Sequence, residues 1–516
     1  MASGGKISTS PKQITRGIRT PQGLRAARAM NYSKEFRGNK SGIRALPLFV
    51  QSLHFLSRDI VIVGNGITGV TAARHIRKRS AEDRITIISG ETDHHFSRTA
   101  LMYIYMGDLT YDDTKPYPDE FWAKNRIDLR RGWVERIDTE NRSVVFRDGK
   151  QSDYDELVLA TGACSNKFGW PGQDLDGVQG LYSYQDLELM EKYSATTQRA
   201  VIVGGGLIGV EIAEMLRSRG IEVVFLVREK AFWSSVLPLE EAELVGREIL
   251  RHGVDLRYET ELREILPDEK GRARAVVTNT GEQIDCQMVF LTTGVSPNIG
   301  FVKSSGIECD RGILVDEFFR TSTPHIWAGG DCAQHRTPPR DRRPVEQVWY
   351  TGKMHGEHIA ANLCGERRPY DPGLWFNSAK FFDIEYQTYG VVHHKERDHE
   401  EDFYWEHPGD GVSFRLRFER ESRAVTGVNV FGLRHRHAVW EHWIARKTPV
   451  SEVMADLGAA NFDPEFYRQH EPAIRTAFNA KFPEHAVQPR TGKGLFSGFF
   501  RNLVSRRETP GTELRV

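Results

Sequence analysis

The chain of 516 residues carries 70 Lys/Arg against 70 Asp/Glu, a formal net charge of zero, with 39% hydrophobic residues. Length sets an expectation of about three domains at roughly 150 residues each, and the balanced charge removes the electrostatic case for a nucleic-acid partner. Five scattered cysteines (Cys164, Cys286, Cys309, Cys332, Cys364) form no Cys-x-x-Cys pair, so their spacing excludes a dithiol centre or zinc knuckle.

Residues 1–57 hold ten Lys/Arg and one acid, Glu35, which leaves the remainder net acidic by nine. This head is expected as a basic, flexible extension, with Met30 as a later start. An organellar transit peptide is the alternative. Its longest apolar stretch, Leu46 to Leu56, is too short to span a bilayer, and the expected compartment is the cytoplasm.

The strand Asp59–Val63 leads into Gly64-Asn-Gly66-Ile-Thr-Gly69, a helix predicted over Thr71–Lys78 and a strand over Ile85–Ile88. A loop rich in His and aromatics and a short hairpin region follow, closing on Glu156-Leu-Val-Leu-Ala-Thr-Gly162. Pro171-Gly172 marks a turn. A second unit opens at Arg199 and carries Gly204-Gly-Gly206-Leu-Ile-Gly209. A helix over Val210–Arg217 and strands at Val223–Val227 and from Met288 to Gly294 come next. Gly312–Asp316 and Ile326–Asp331 read as a return to the first unit. Beyond about Tyr370 the composition turns aromatic and alternating, as in Ser413-Phe-Arg-Leu-Arg-Phe418, which predicts half-buried strands of a separate α+β domain.

A strand entering Gly-x-Gly-x-x-Gly and then a helix lets backbone approach a pyrophosphate and aims the helix N-terminus at it. Two such turns, 140 residues apart, imply two dinucleotides on one protein, and the usual reason to hold two is to pass electrons between them.

With Ala160-Thr-Gly162, Thr293-Gly294 and Ala328-Gly-Gly-Asp331 placed, the order of motifs resembles the two-dinucleotide-binding-domain flavoproteins of the pyridine nucleotide-disulfide oxidoreductase superfamily. The branch most similar is the ferredoxin-reductase and apoptosis-inducing-factor-like one, over about residues 58–390. The resemblance implies an α/β fold of two Rossmann-like dinucleotide-binding domains plus a C-terminal α+β domain. FAD would occupy 58–195 with 293–370, NAD(P) the inserted 196–292, and the C-terminal domain with its amphipathic tail 371–516.

The same resemblance implies the site. FAD would lie on Gly64, Gly66, Gly69, Val134, Ala160, Thr161, Gly162 and Gly330, with Glu91 on the adenosine ribose, Arg98 in the loop crossing the flavin, and Asp331 at the ribityl and phosphate region. NAD(P)H would lie on Gly204, Gly206, Gly209, Arg228 and Gly294. Val227 takes the place of the acid that binds NADH ribose hydroxyls, and Arg228 beside it favours the 2′-phosphate of NADPH. A shift of register to Glu229 would restore NADH. The run Arg343…Glu346…Trp349…Gly356 resembles the family segment flanking the isoalloxazine, which makes Trp349 a catalytic candidate. Glu211 matches the branch's glutamate, but its lysine partner is replaced by Tyr103, a phenol that could hydrogen-bond Glu211.

Absent residues narrow the chemistry. Phe96-Ser-Arg-Thr99-Ala-Leu101 has threonine where single-cysteine relatives carry their nucleophile, and threonine forms neither a sulfenate nor a mixed disulfide. The expected function is thus hydride transfer from NAD(P)H to flavin N5, then electron delivery to a ferredoxin-like protein or small acceptor. The alternatives are a peripheral-membrane NAD(P)H:quinone oxidoreductase and a slow FAD/NAD(P)H-binding redox sensor. Apolar pairs every four residues with basic flanks in 493–507 suit either a membrane surface or the protein's own core. His435, His437 and His442 read as polar or surface histidines, no metal is expected, and a homodimer stays open.

Overall fold

The structure, a computed structural model, describes residues 57–490 apart from 340–341, 410 and 463–467. The expectations for residues 1–56 and for the segment 493–507 lie outside the described residues. Among those described, no helix is long and apolar enough to cross a membrane.

The first sheet is parallel throughout, in the spatial order Ile326–Ala328, Glu156–Leu159, Asp59–Val63, Arg84–Ser89, Ile127–Arg131. Its strands are near-continuous aliphatic runs because both faces are covered, and Ile62, Val158 and Ile85 are fully buried. The chain leaves Asp59–Val63 in one direction for two strands and later fills the other side. The crevice beyond Val63 is therefore the switch point where such sheets bind ligands. The helix behind it spans Ile67–Arg79, one turn earlier than predicted, because Gly66 itself serves as the extended N-cap residue. Arg77, Lys78 and Arg79 in its last turn complement the dipole. It crosses the helix Trp349–Leu363 closely: a Cβ on Gly356 would sit 2.5 Å from the Thr68 carbonyl oxygen.

A second parallel sheet repeats the pattern in the order Asp255–Arg257, Glu222–Leu226, Arg199–Val203, Met288–Leu291, Val178–Gln179. Its helix Leu207–Ser218 again starts directly after a glycine, Gly206.

The third sheet is antiparallel, ordered Phe376–Phe381, Ile384–Gly390, Val425–Phe431, Ser413–Glu419, Glu400–Glu406. Here the predicted half-buried strand is corrected, for Ser413 through Phe418 is buried on both faces. Phe414, Leu416 and Phe418 enter a core with Trp440, Val453 and Phe478 from the C-terminal helices. Arg415 points the other way, onto the helix Leu239–Arg251 of the second unit. There it meets Glu241 at 3.1 Å, Glu240 at 2.6 Å and Asp402, while Asn429 donates to Glu241 at 2.8 Å. Beside this ionic centre Phe381, Tyr386 and Phe431 share a core with Phe232 and Ile249. The alternation of Phe and Arg thus separates two buried faces, one apolar and one charge-paired.

Removing one partner of a buried pair strands the other charge. Arg415→Met is expected to cost about 3–5 kcal/mol of stability, and Arg415→Met with Glu241→Gln to recover much of it. Urea unfolding followed by tryptophan fluorescence checks both variants.

Candidate dinucleotide cleft

A cavity of about 930 Å³ opens at the switch point of the first sheet. Gly64 has φ +116°, and a Cβ there would lie 2.1 Å from the Ala160 carbonyl oxygen, so only glycine lets these two turns meet. Gly69 sits behind the turn, where a Cβ would meet Gly64 O at 2.0 Å. The helix Ile67–Arg79 has no side-chain cap, whereas Tyr184–Ser194 carries a full capping box from Ser183 and Asp186. The first-turn N–H groups beyond Gly66 are therefore directed at the cleft with no side-chain cap among the described residues.

Gly64, Gly66, Val134, Ala160, Thr161, Gly162, Gly330 and Asp331 all wall this cleft, together with Glu91, Arg98, Glu211 and Trp349. Asp331 is half-buried, and its loss of solvation raises its carboxyl above the usual range. The Tyr182 hydroxyl donates to its Oδ2 at 3.1 Å. Gly330, with φ +76°, packs on Thr68, where a Cβ would come within 2.5 Å of the hydroxyl. The glycine cradle, the uncapped helix and this carboxylate fit the pyrophosphate and polyol of a flavin dinucleotide.

Glu91 is held at both oxygens. Arg98 grips it bidentately at 2.7 and 2.6 Å, and the Tyr184 N–H adds a bond of 2.9 Å to Oε1. One of the roughly four lone-pair positions of a carboxylate remains for a ligand. Arg98 also reaches the Tyr182 carbonyl and stacks over its ring. Sequence reading missed Tyr182, which has no motif of its own and is delivered by the loop preceding Tyr184–Ser194. It also missed Trp133 and Arg147, which wall the cleft near Ser89. The Trp133 indole lies against Gly90, where a Cβ would fall 2.2 Å from the ring, and Arg147 stands over it at 5.2 Å.

Glu211, on the helix Leu207–Ser218, reaches this cleft from the second unit. Burial, with the nearby Glu214 charge, pushes its carboxyl up to about 7. The expected contact with Tyr103 is not formed: Tyr103 packs with the apolar cluster around Tyr105 and Met215, and the cleft is walled by Leu101 and Met102 instead. The neighbouring ammonium, Lys380, is engaged by Glu214 at 2.6 Å. Trp349 begins its helix at the cleft, but the glutamate of its run turns away. Glu346 pairs with Arg342, rather than Arg343, at 3.0 Å and accepts from the Tyr370 hydroxyl at 2.9 Å.

The glycines of the second fingerprint are not among the walls of this cavity, which its Ile208 does reach. Gly204 has φ +112°, Gly294 has φ +93°, and Gly209 is packed against Phe225 and Thr292. Gly206 faces open space. Val227 is fully buried under Gly205, while the Arg228 side chain is 74% exposed and pairs with Glu229 at 3.0 Å. His435 is a core residue that accepts from the Trp440 indole at 3.1 Å, and burial lowers it to about 3.

Three comparisons bear on this arrangement. A model of the pyridine nucleotide-disulphide oxidoreductases matches residues 58–356. The chain is 29% identical over 342 residues to nitrite reductase [NAD(P)H] of Bacillus subtilis, covering 66% of this chain and 42% of that protein. It thus spans less than half the length of that relative. It is 28% identical to a ferredoxin–NAD(P)(+) reductase of a Sphingomonas species, covering 71% of this chain and 88% of the relative. The fold is shared with an NAD-dependent persulfide reductase from A. fulgidus, at a TM-score of 0.72 and 24% identity over 83% of each chain. With both glycine turns on parallel-sheet edges and the matched region spanning both sheets, the chain belongs to the pyridine nucleotide-disulphide oxidoreductase family.

Proposed function

We propose that this chain is an FAD-dependent NAD(P)H oxidoreductase that passes electrons to a ferredoxin-like protein without a redox-active cysteine. The observation that carries this reading is one cleft walled from both units: Gly64, Thr68 and Asp331 of the first, Ile208 and Glu211 of the second. The likeness to a ferredoxin–NAD(P)(+) reductase supports the acceptor class. In this cleft FAD would supply the redox chemistry, taking a hydride from reduced nicotinamide and releasing electrons onward.

The protein's own share is binding, orientation and exclusion. The N–H groups past Gly66 would hold the pyrophosphate, and the Asp331 carboxylate would accept polyol hydroxyls. Leu101, Met102, Ile208 and Trp349 keep water from the reacting end. Glu211 at that wall gives up its proton only around neutral pH. Thr99 also lines the cleft, and none of the five cysteines does, which supports a route free of thiol intermediates. The exposed Arg228 beside the buried Val227 supports NADPH as donor.

Anaerobic stopped-flow reduction with NADH and NADPH in parallel is expected to bleach the flavin rapidly, faster with NADPH. Reduction by neither within minutes would sink the reductase reading. Arg228→Ala is expected to raise KM for NADPH roughly ten- to hundredfold, the worth of a charge-assisted bond, and to leave NADH unaffected.

Glu211 carries a pH signature. Its folded carboxyl titrates near 7 against an ordinary 4.5, so burial of its charge destabilises the protein increasingly from about pH 4.5 to 7 and fully above. Glu211→Gln is therefore expected to raise Tm at pH 8.5 and change it little at pH 5, as thermal melts at the two pH values would show.

A further inference from the structure

Beneath the cleft, and outside its walls, lies a buried polar cluster of His335, Glu346 and His355. The N–H of Gly330, in the peptide that joins Gly329 to Gly330 one residue before Asp331, donates to His355 Nδ1 at 3.0 Å. An imidazole that accepts at Nδ1 carries its proton on Nε2. That Nε2 lies 3.6 Å from Glu346 Oε2, and the imidazole and carboxylate are both about 1% exposed. Glu346 is in turn fixed by Arg342 and Tyr370. Burial opposes its ionisation, but His355, Arg342 and Tyr370 outweigh that and hold the carboxyl below its usual range. An ionised Glu346 facing Nε2 selects the tautomer that leaves Nδ1 free to accept.

These three side chains also have the ligand types of a metal centre, but their bonding argues against one. His355 Nδ1 is occupied by Gly330, so a metal on Nε2 would require the imidazolate. The Arg342 guanidinium, 3.0 Å from Glu346, would oppose a cation further.

We propose that His355, oriented by Glu346, is a positioning residue for FAD: it fixes the Gly330 peptide so that Asp331 is presented to the cleft. The inference rests on the flavin reading above. Gly330 needs its left-handed conformation against Thr68, and glycine has little intrinsic preference to stay there. The Nδ1 acceptor supplies that preference before the ligand arrives. Without it the peptide is free to turn, and binding must order it again.

The test is FAD affinity of the apoprotein, titrated by fluorescence, with apoprotein Tm as a control for folding. His355→Phe preserves volume and ring packing but cannot accept, and FAD affinity is expected to fall tenfold or more, the cost of an unmet buried donor. His355→Gln, whose amide oxygen accepts and whose amide nitrogen donates to Glu346, is expected to stay within about threefold of wild type. Unchanged affinity in His355→Phe, or equal losses in both variants, overturns the proposal. To keep the test independent of the folding of His355→Phe, the 1H–15N long-range spectrum of wild type, assigned through His355→Gln, is the second measurement. It should show His355 as the Nε2–H tautomer, and an Nδ1–H tautomer overturns the inference. Stoichiometric zinc in the purified protein also overturns it. Failure of wild type to bind FAD at all instead overturns the function proposed above.

Discussion

Everything around the cleft depends on one close approach, that of the Gly64 turn to the Ala160 carbonyl. At the edge of a parallel sheet the strands Asp59–Val63 and Glu156–Leu159 end side by side, and a Cβ on Gly64 would push them apart. Glycine there brings the uncapped start of Ile67–Arg79 up to the crevice floor. The price is a row of N–H groups without side-chain partners, which an anion offsets. The contrast with the capping box at Ser183 is physical: that helix is complete in itself, whereas Ile67–Arg79 starts without a side-chain cap.

Around that floor two carboxylates are paired with arginine, Glu91 with Arg98 and Glu346 with Arg342, while Asp331 meets the Tyr182 hydroxyl; away from the cleft, Arg415 pairs with Glu241. Each pair ties together segments far apart in the chain or fixes a loop beside the cleft. Glu211 has no such cation among the described residues. The position where the resemblance would put one is Tyr103, which packs half-buried against an apolar cluster, and Lys380 is paired with Glu214. A carboxyl in this position settles for a proton instead of a countercharge. The charge at that wall therefore differs from that of a lysine–glutamate pair.

The C-terminal sheet shows how a charged residue can belong to an interior. Arg415 contacts Glu240 and Glu241 on one helix and Asp402 on a neighbouring strand, so that the face toward the second unit is specified by charge and hydrogen bonds as well as by apolar area. Such a centre adds little net stability over an apolar one. What it does impose is register, since a one-residue slip of Ser413–Glu419 would turn Phe414 and Leu416 onto carboxylates.

Local pattern sufficed for the two strand–glycine–helix units and the return of the chain through Ile326–Asp331, because aliphatic runs and glycine spacing act over a few residues. It also sufficed to bring Gly64, Ala160 and Asp331 to notice, since each sits in a recognisable turn. It erred on Ser413–Phe418, where alternation was taken for one wet face; a strand buried between two layers alternates in the same way when one layer is acidic. It erred on Tyr103, whose partner depends on which way a short helix rolls. Tyr182, Trp133, Arg147 and His355 were invisible because each acts through neighbours remote in sequence: Asp331 is 149 residues from Tyr182. The sequence by itself determined the elements, the two turns and the absence of a thiol at position 99. Only tertiary packing decided which charges are paired and which carboxyl keeps its proton, because those outcomes depend on burial and on distances between segments, which no local pattern contains.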